Sequence, residues 1–401
     1  MLATGCRNEH VPGLGGLDQR LRDEPNQVER ERLVDAFWGH VSQIGTPLIE
    51  NDTTVAFLYR GRGQRVRVMG DMTGWQADVE LERIASTDLF AGSAALPADA
   101  RIEYKLLVDD NPATADPMCK YGVLGGFGVG SEVAMPRYVY HPLLIPLRDG
   151  SRGGYERVMP YVLPPRGLGY EKQIHVYTPL GYEEDEEEYP TVYFLDGTDY
   201  IEFAQAPRLL DGLIETGAIR PIVAVFASPP NPGSLEASSR STEYHMNPHF
   251  ADWMAGELVP FVEAHYRVSS EAGERMVIGA SSAGLAAAYI PFHRPDAFGI
   301  GYSQSGYVTF KSDTLLGLYA GAETIPIRLF VDVGIYETGV GKGLVPDEES
   351  NLLAGNRRFR DVLESKGYDF VYREYPEGHT YGNWRRHLID ALEHFFPARS
   401  H

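Results

Sequence analysis

The sequence predicts two domains of different class. An all-β sandwich domain is expected over residues 27–145. Over 150–401 the expectation is an α/β domain, a mostly parallel sheet flanked by helices. Three observations carry this. The chain has 401 residues, more than one domain usually holds. From Thr54 onward, short alternating runs follow one another with turn clusters and no helical pattern between them. Beyond residue 155, strand-like runs alternate with amphipathic helical patterns, as in a βα-repeating domain.

Taken in order, residues 1–26 are rich in Gly, Pro and charge and read as a flexible leader. A helix is predicted over 27–42, with Val28, Val34, Phe37, Trp38 and Val41 on one face, stopped by Gly45 and Pro47. Strands follow at 55–59, 66–69 and 102–108, separated by turn clusters at 61–63 and 109–112. The glycine-rich stretch 125–130 lacks the strand–turn–helix setting of a dinucleotide loop, so nucleotide binding is not expected there. After a linker at 141–155, strands are predicted at 174–177, 191–195, 222–226, 276–278, 300–303, 327–333 and 370–375. Helical spacing joins Phe250, Met254, Leu258, Phe261 and Val262, and again Trp384, Leu388, Leu392 and Phe395. Six consecutive acids at 183–188 read as a solvated turn, not a metal site.

Composition narrows the function. A formal net charge of −20 argues against nucleic-acid binding and offers no polybasic patch to an anionic membrane. Only Cys6 and Cys119 are present, so no disulfide framework is implied, and no apolar run reaches membrane-spanning length. The opening Met1-Leu2-Ala3-Thr4-Gly5-Cys6 is similar to the tail of a bacterial lipoprotein signal, without its charged and apolar regions. The compartment stays open between bacterial cytoplasm and, if Cys6 belongs to a truncated signal, the periplasm. A homo-oligomer is equally left open.

The chemistry is carried by Gly279-Ala280-Ser281-Ser282-Ala283-Gly284, between an apolar strand and the Ala-rich helix expected at 285–292. A serine on a sharp strand-to-helix turn is the nucleophile elbow of α/β hydrolases, with the helix N-terminus favouring developing negative charge. Either Ser281 or Ser282 fits: Ala283 stands where G-x-S-x-G has its second glycine, and Ala280-x-Ser282-x-Gly284 is a variant spelling. Serine needs a base and an orienting acid, in chain order Ser, acid, His. Glu337 lies on the loop beyond strand 327–333, whereas Asp332, the rival, lies within the strand; His379 follows strand 370–375. Activity is expected to fall on acidification, because only neutral imidazole takes the serine proton. The oxyanion hole is expected from the Ser282 N–H and from the loop Asp196-Gly197-Thr198-Asp199, with Thr198 as second donor and Gly197 supplying the sharp turn.

Further segments carry a resemblance: Tyr193-Phe194-Leu195-Asp196-Gly197, Arg240-Ser241-Thr242-Glu243-Tyr244, Glu257-Leu258-Val259-Pro260, His265-Tyr266, Ser303-Gln304-Ser305-Gly306, and Gly378-His379 with Trp384. With these, most of residues 155–396 resembles the enterochelin esterase-like branch of an esterase family that includes feruloyl and acetyl-xylan esterases. The resemblance implies an α/β-hydrolase fold, Ser281 as nucleophile, His379 as base and Glu337 as acid, with no metal or organic cofactor. Its substrates would be small-molecule or oligosaccharide esters: siderophore lactones, or aryl and acyl esters of sugars. Asp199, Arg240 and Trp384 are candidate substrate-binding residues. Phe37-Trp38 and Gly45-Thr46-Pro47-Leu48-Ile49-Glu50 resemble the entry to the family's own leading domain, and Val68 to Trp75, with Tyr104-Lys105 and Asp116-Pro117, is also similar to immunoglobulin-like glycogen-binding sandwiches. That domain is expected to govern substrate access, with Trp75 or the 122–130 loop nearest the substrate. Acyl transfer to a sugar, or a catalytically inactive carbohydrate-binding protein of the same fold, are the alternatives.

Overall fold

The computed structural model describes residues 14–109, 111–144, 154–184, 186–230 and 237–398. Cys6, most of the expected linker and Asp185 of the acidic run lie outside them. Two compact units divide the chain, Met1–Val123 with Phe127–Val139 and Leu124–Gly126 with Tyr140–His401. Among the described residues no helix is long and apolar enough to cross a membrane.

The first unit opens with helices α1 (Leu14–Asp23) and α2 (Gln27–Ile44). Helix α1 occupies part of the stretch that reads as a loose leader: Leu17 and Leu21, four residues apart, are buried with Val34, Phe37 and Val41 of α2. Val28 is 68% exposed and drops out of the expected α2 face. Strands β1 (Leu48–Asn51), β2 (Thr54–Arg60), β3 (Val66–Gly70), β4 (Val79–Arg83), β5 (Leu89–Ala95), β6 (Arg101–Val108), β7 (Gly122–Gly125) and β8 (Gly128–Ala134) follow. They form one eight-stranded sheet in the order β1-β2-β5-β4-β3-β6-β8-β7, antiparallel in every assigned pairing. Hydrogen bonding runs continuously through the all-β domain that the sequence predicts as a sandwich. Strand β4 changes partner along its length, pairing Val79 to Leu81 with β3 and Glu82 to Arg83 with β5, which joins both halves. The glycine-rich stretch forms the β7–β8 hairpin.

The second unit contains β9 (Val158–Leu163), β10 (Lys172–Tyr177), β11 (Thr191–Leu195), β12 (Val223–Ala227), β13 (Arg275–Ala280), β14 (Ile300–Gln304), β15 (Arg328–Gly334) and β16 (Asp369–Tyr375). Its sheet order is β16-β15-β14-β13-β11-β12-β10-β9, parallel from β16 to β12, with β10 and β9 antiparallel at one edge. Helices α3 (Gly197–Glu202), α4 (Ala206–Glu215), α5 (Ala237–Tyr244), α6 (Pro248–Trp253), α7 (Val259–His265), α8 (Ser282–His293), α9 (Phe310–Gly321), α10 (Asp347–Ser350), α11 (Leu352–Lys366) and α12 (Tyr381–Phe395) lie between or after the strands. Central strands read as unbroken apolar runs because both faces are covered. Along β11, Tyr193 and Leu195 enter a core with residues of α5 to α9 and α11, while Val192 and Phe194 enter the opposite core with α3, α4 and α12.

Helix α5 is fixed by a fully buried ion pair between Glu243 and Lys172 of β10. Tyr170 Oη donates to the same carboxylate at 2.6 Å, and Lys172 Nζ faces the Phe250 and Trp253 rings at 5.0 and 5.9 Å. Burial opposes both charges, lowering the lysine and raising the glutamate, so each ion needs the other. Lys172→Met, which strands the Glu243 carboxylate, is expected to lower stability by about 3–5 kcal/mol in urea unfolding. Lys172→Met/Glu243→Leu should recover most of that loss. A single variant as stable as the parent would contradict the assignment.

Candidate active site

Strand order reverses around β11: the chain steps to β12 on one side and then crosses to β13 on the other. In such sheets the crevice for a ligand opens at the C-terminal ends of the strands at this reversal. Asp196 follows β11 and Ser281 follows β13.

Ser281 has φ 60° and ψ −121°, a sparsely populated conformation for a residue with a side chain, while Ser282 is the first residue of α8. The Ser281 N–H donates to Gln304 O at 2.9 Å, and its carbonyl accepts from Leu285 and Tyr307 N–H at 3.1 and 2.9 Å. Two glycines make room for this turn. A Cβ on Gly279 would lie 2.3 Å from Ala283 O, and one on Gly284 would lie 2.9 Å from Gln304 O and from Gly306 Cα. The close approaches therefore fall at 279 and 284. Ala283 is accommodated, fully buried, where the usual motif has glycine.

His379 Nδ1 donates to Glu337 Oε2 at 2.7 Å. The carboxylate is 1% exposed, and its other oxygen accepts from Ser305 Oγ at 2.6 Å and from Gly334 N–H at 2.7 Å. Ser305 Oγ in turn accepts from Trp384 Nε1 at 2.8 Å, and the indole meets the His379 ring edge-on at 4.9 Å. Trp384, expected as a substrate-binding residue, is thus buried behind Glu337 and His379 and holds Ser305. Ser305, with φ 47°, lies in a segment noted for its resemblance but given no role from sequence; its hydroxyl meets Glu337 only once the neighbouring strands are aligned. Asp332 is fully buried in the sheet layer and accepts from Tyr302 Oη at 2.5 Å.

The β11 loop differs from expectation in two ways. The left-handed residue is Asp196, with φ 54° and ψ 45°, and not Gly197. The Thr198 N–H, expected to face an oxyanion, donates to Ser228 Oγ at 2.9 Å, and the two hydroxyls lie 2.7 Å apart. Arg240 grips Asp196 through the Nε–Nη2 edge of its guanidinium, at 2.6 to 3.0 Å, and Nη2 also donates to Ala280 O at 3.2 Å, the carbonyl just before Ser281. His245, also unforeseen, has Nε2 3.2 Å from Ser282 Oγ and packs on Phe310 at 4.3 Å and on Tyr307 at 5.9 Å. Burial lowers its affinity for a proton, as do the Arg240 and Lys311 charges. Among the described residues no group of three or more His, Cys, Asp or Glu side chains is arranged to hold a metal ion.

Asp199 is partly buried beside this loop and is raised to about 6 by burial and by the neighbouring Asp196 charge, while Tyr381 Oη lies 3.4 Å from Oδ2. A carboxyl raised in the folded state favours folding while protonated and loses that contribution as pH rises through about 6. Asp199→Asn, which keeps the shape without the charge, is expected to gain roughly 1–2 kcal/mol at neutral pH, allowing for solvent screening. The gain should shrink as the pH approaches the range where the acid is protonated in both states. Urea unfolding at several pH values measures it, and a pH-independent difference would contradict an origin in the Asp199 charge.

Comparison with known proteins bears on the family and the fold. Residues 166–395, more than half of the chain, match the family model described as "Putative esterase". The iron(III) enterobactin esterase of Dickeya dadantii is 24% identical over 415 residues, covering 89% of this chain and 92% of that one. The iron(III) enterobactin esterase of Escherichia coli K12 is 32% identical over 228 residues, covering 53% and 52% respectively. In fold, the chain is similar to the ferric enterobactin esterase of Salmonella typhimurium, with a TM-score of 0.75 at 21% identity, covering 90% of this chain and 98% of that one. The enterobactin esterase of Shigella flexneri, crystallised in the presence of enterobactin, gives a TM-score of 0.71 at 22% identity, covering 90% and 97%. The chain belongs to this esterase family, as an enterochelin esterase-like carboxylic ester hydrolase of the α/β-hydrolase type.

Proposed function

We propose that this esterase cleaves the lactone esters of a catechol siderophore through an acyl-enzyme formed on Ser281. The observation that carries the reading is the His379–Glu337 hydrogen bond at 2.7 Å, on loops at the same sheet end as the strained Ser281. His379 takes the Ser281 proton as Oγ attacks the ester carbonyl and returns it to the leaving alcohol; Glu337 keeps Nδ1 protonated and stabilises the imidazolium. The Ser282 N–H, at the first position of α8 and without an intrahelical partner, would receive the oxyanion. Thr198 N–H would join it after leaving Ser228 Oγ. Water then repeats the sequence on the acyl-enzyme.

Several features support an aryl, anionic substrate. His245, Tyr307 and Phe310 give aromatic surface next to Ser282. Arg240 and Lys311 add positive charge near His245 within an acidic protein. The named substrate of the Dickeya and Escherichia relatives, iron(III) enterobactin, has that chemistry.

Ser281→Ala is expected to reduce hydrolysis of enterobactin and of a p-nitrophenyl ester by on the order of 10^5-fold while leaving the fold intact. An active Ser281→Ala with an inactive Ser282→Ala would move the nucleophile by one residue. Across a panel of enterobactin, methyl ferulate and acetylated xylan, enterobactin should have the highest kcat/KM. A preference for acetylated xylan would replace the siderophore reading with the acyl-sugar one.

A further inference from the structure

We propose that His387 is a positioning residue for ester hydrolysis: a buried side chain set between Asp332 and Glu377 that fixes the loop carrying His379. The inference rests on the triad reading and extends it to a side chain inside the protein.

His387 lies on α12, one turn beyond Trp384, and is fully buried. Its Nε2 is 3.2 Å from Glu377 Oε2, and its Nδ1 is 3.5 Å from Asp332 Oδ2. The Tyr375 ring stacks on it with centroids 3.7 Å apart. Both acids are buried as well, Asp332 at 0% and Glu377 at 3% exposure. Burial works against charge on the imidazole, but the Asp332 and Glu377 carboxylates outweigh it and raise His387 to about 10. At neutral pH the cluster therefore holds one cation between two carboxylates.

Two branches lead from this cation to His379. Through β15, Asp332 accepts from the Ser305 N–H, at 2.9 Å on its carbonyl and 3.3 Å on its carboxylate. Ser305 Oγ donates to Glu337, which holds His379. Through the loop, Glu377 stands two residues before His379, and its carbonyl accepts from the Tyr336 N–H at 3.3 Å, next to Glu337 in the chain. The other polar groups around the cluster are Tyr302 Oη from β14, on Asp332, and Tyr375 Oη, which donates to Asp390, itself paired with Arg386 on α12. His387 is where the two branches meet, so its charge sets both the spacing of the loop and the local field at the base.

Charge and packing roles predict different results. His387→Gln keeps an N–H donor of similar reach and leaves the cluster one positive charge short; Glu377→Gln leaves it one negative charge short. In full-length protein, both variants are expected to lose on the order of 10- to 100-fold in kcat with KM within about twofold, since a base misplaced by a fraction of an ångström slows chemistry more than binding. The acidic limb of the kcat/KM profile should move to higher pH in His387→Gln and to lower pH in Glu377→Gln. The double variant should return it toward the parent. Rates are normalised to sites labelled by a fluorophosphonate, so that misfolded molecules are not counted as slow enzyme, and if His387→Gln yields no labelled sites the Glu377→Gln arm decides. Parent-like kcat and profiles per labelled site, or limbs that move in the same direction, would overturn the proposal and leave His387 a packing residue. Failure of the fluorophosphonate to label Ser281 in the parent protein is a separate result, which overturns the triad reading itself.

Discussion

The Glu337 carboxylate is buried to 1% exposure and meets three donors: Ser305 Oγ, Gly334 N–H and His379 Nδ1. A charge taken out of water is tolerated only when its lone pairs are satisfied, so these donors are a condition of the acid's existing there. They come from the end of β14, the end of β15 and the loop after β16. Their convergence depends on the parallel register of neighbouring strands, Gln304 opposite Asp332 and Gly334 opposite Tyr375. A slip of one residue in either pairing would reverse which face each side chain occupies and remove a donor. Sheet register and the environment of one carboxylate are thus the same constraint stated at two scales.

Charge is distributed unevenly in this chain. The formal total is −20, yet Lys172, Arg275 and Arg101 are buried and Arg240 is half-buried beside the elbow. Each is paired with a carboxylate: Lys172 with Glu243, Arg275 with Glu263, Arg101 with Glu103 and Glu132, Arg240 with Asp196. Helix α5 shows what the arrangement does. Glu243 ties it to β10, and Arg240, three residues earlier, ties it to the turn after β11 and to the carbonyl before Ser281. The result is local positive charge beside the turn at Ser281 within an acidic chain.

What the sequence revealed depends on how local the determining physics is. The parallel strands were legible because burial on both faces leaves continuous apolar runs, and β11 has the same limits in both readings. The strand–turn–helix around Ser281 was legible from small residues between an apolar run and an Ala-rich one, and the loop positions of Glu337 and His379 from where the neighbouring strands end. Partner identities were not legible. Trp384 has the helical spacing of a core residue, and only folding brings its indole N–H to Ser305. Thr198 lies on the expected loop, but Ser228, thirty residues away, decides where its N–H points. His387 carries no local mark of its two carboxylate neighbours, which arrive from β15 and from the loop before His379. In the first unit, alternation gave β2, β3 and β6, while the joining of both halves through β4 is a non-local pairing that no pattern within five residues encodes.

The room made by Gly279 and Gly284 has a consequence for how such chains are recognised. The glycine that admits the neighbouring backbone stands three places after Ser281 instead of two, because Gln304 O and Gly306 Cα press on position 284. A search keyed to the five-letter spelling of the motif passes over this protein. A criterion of volume finds it: hydrogen alone at two places before the serine and at three places after, with a methyl group tolerated between.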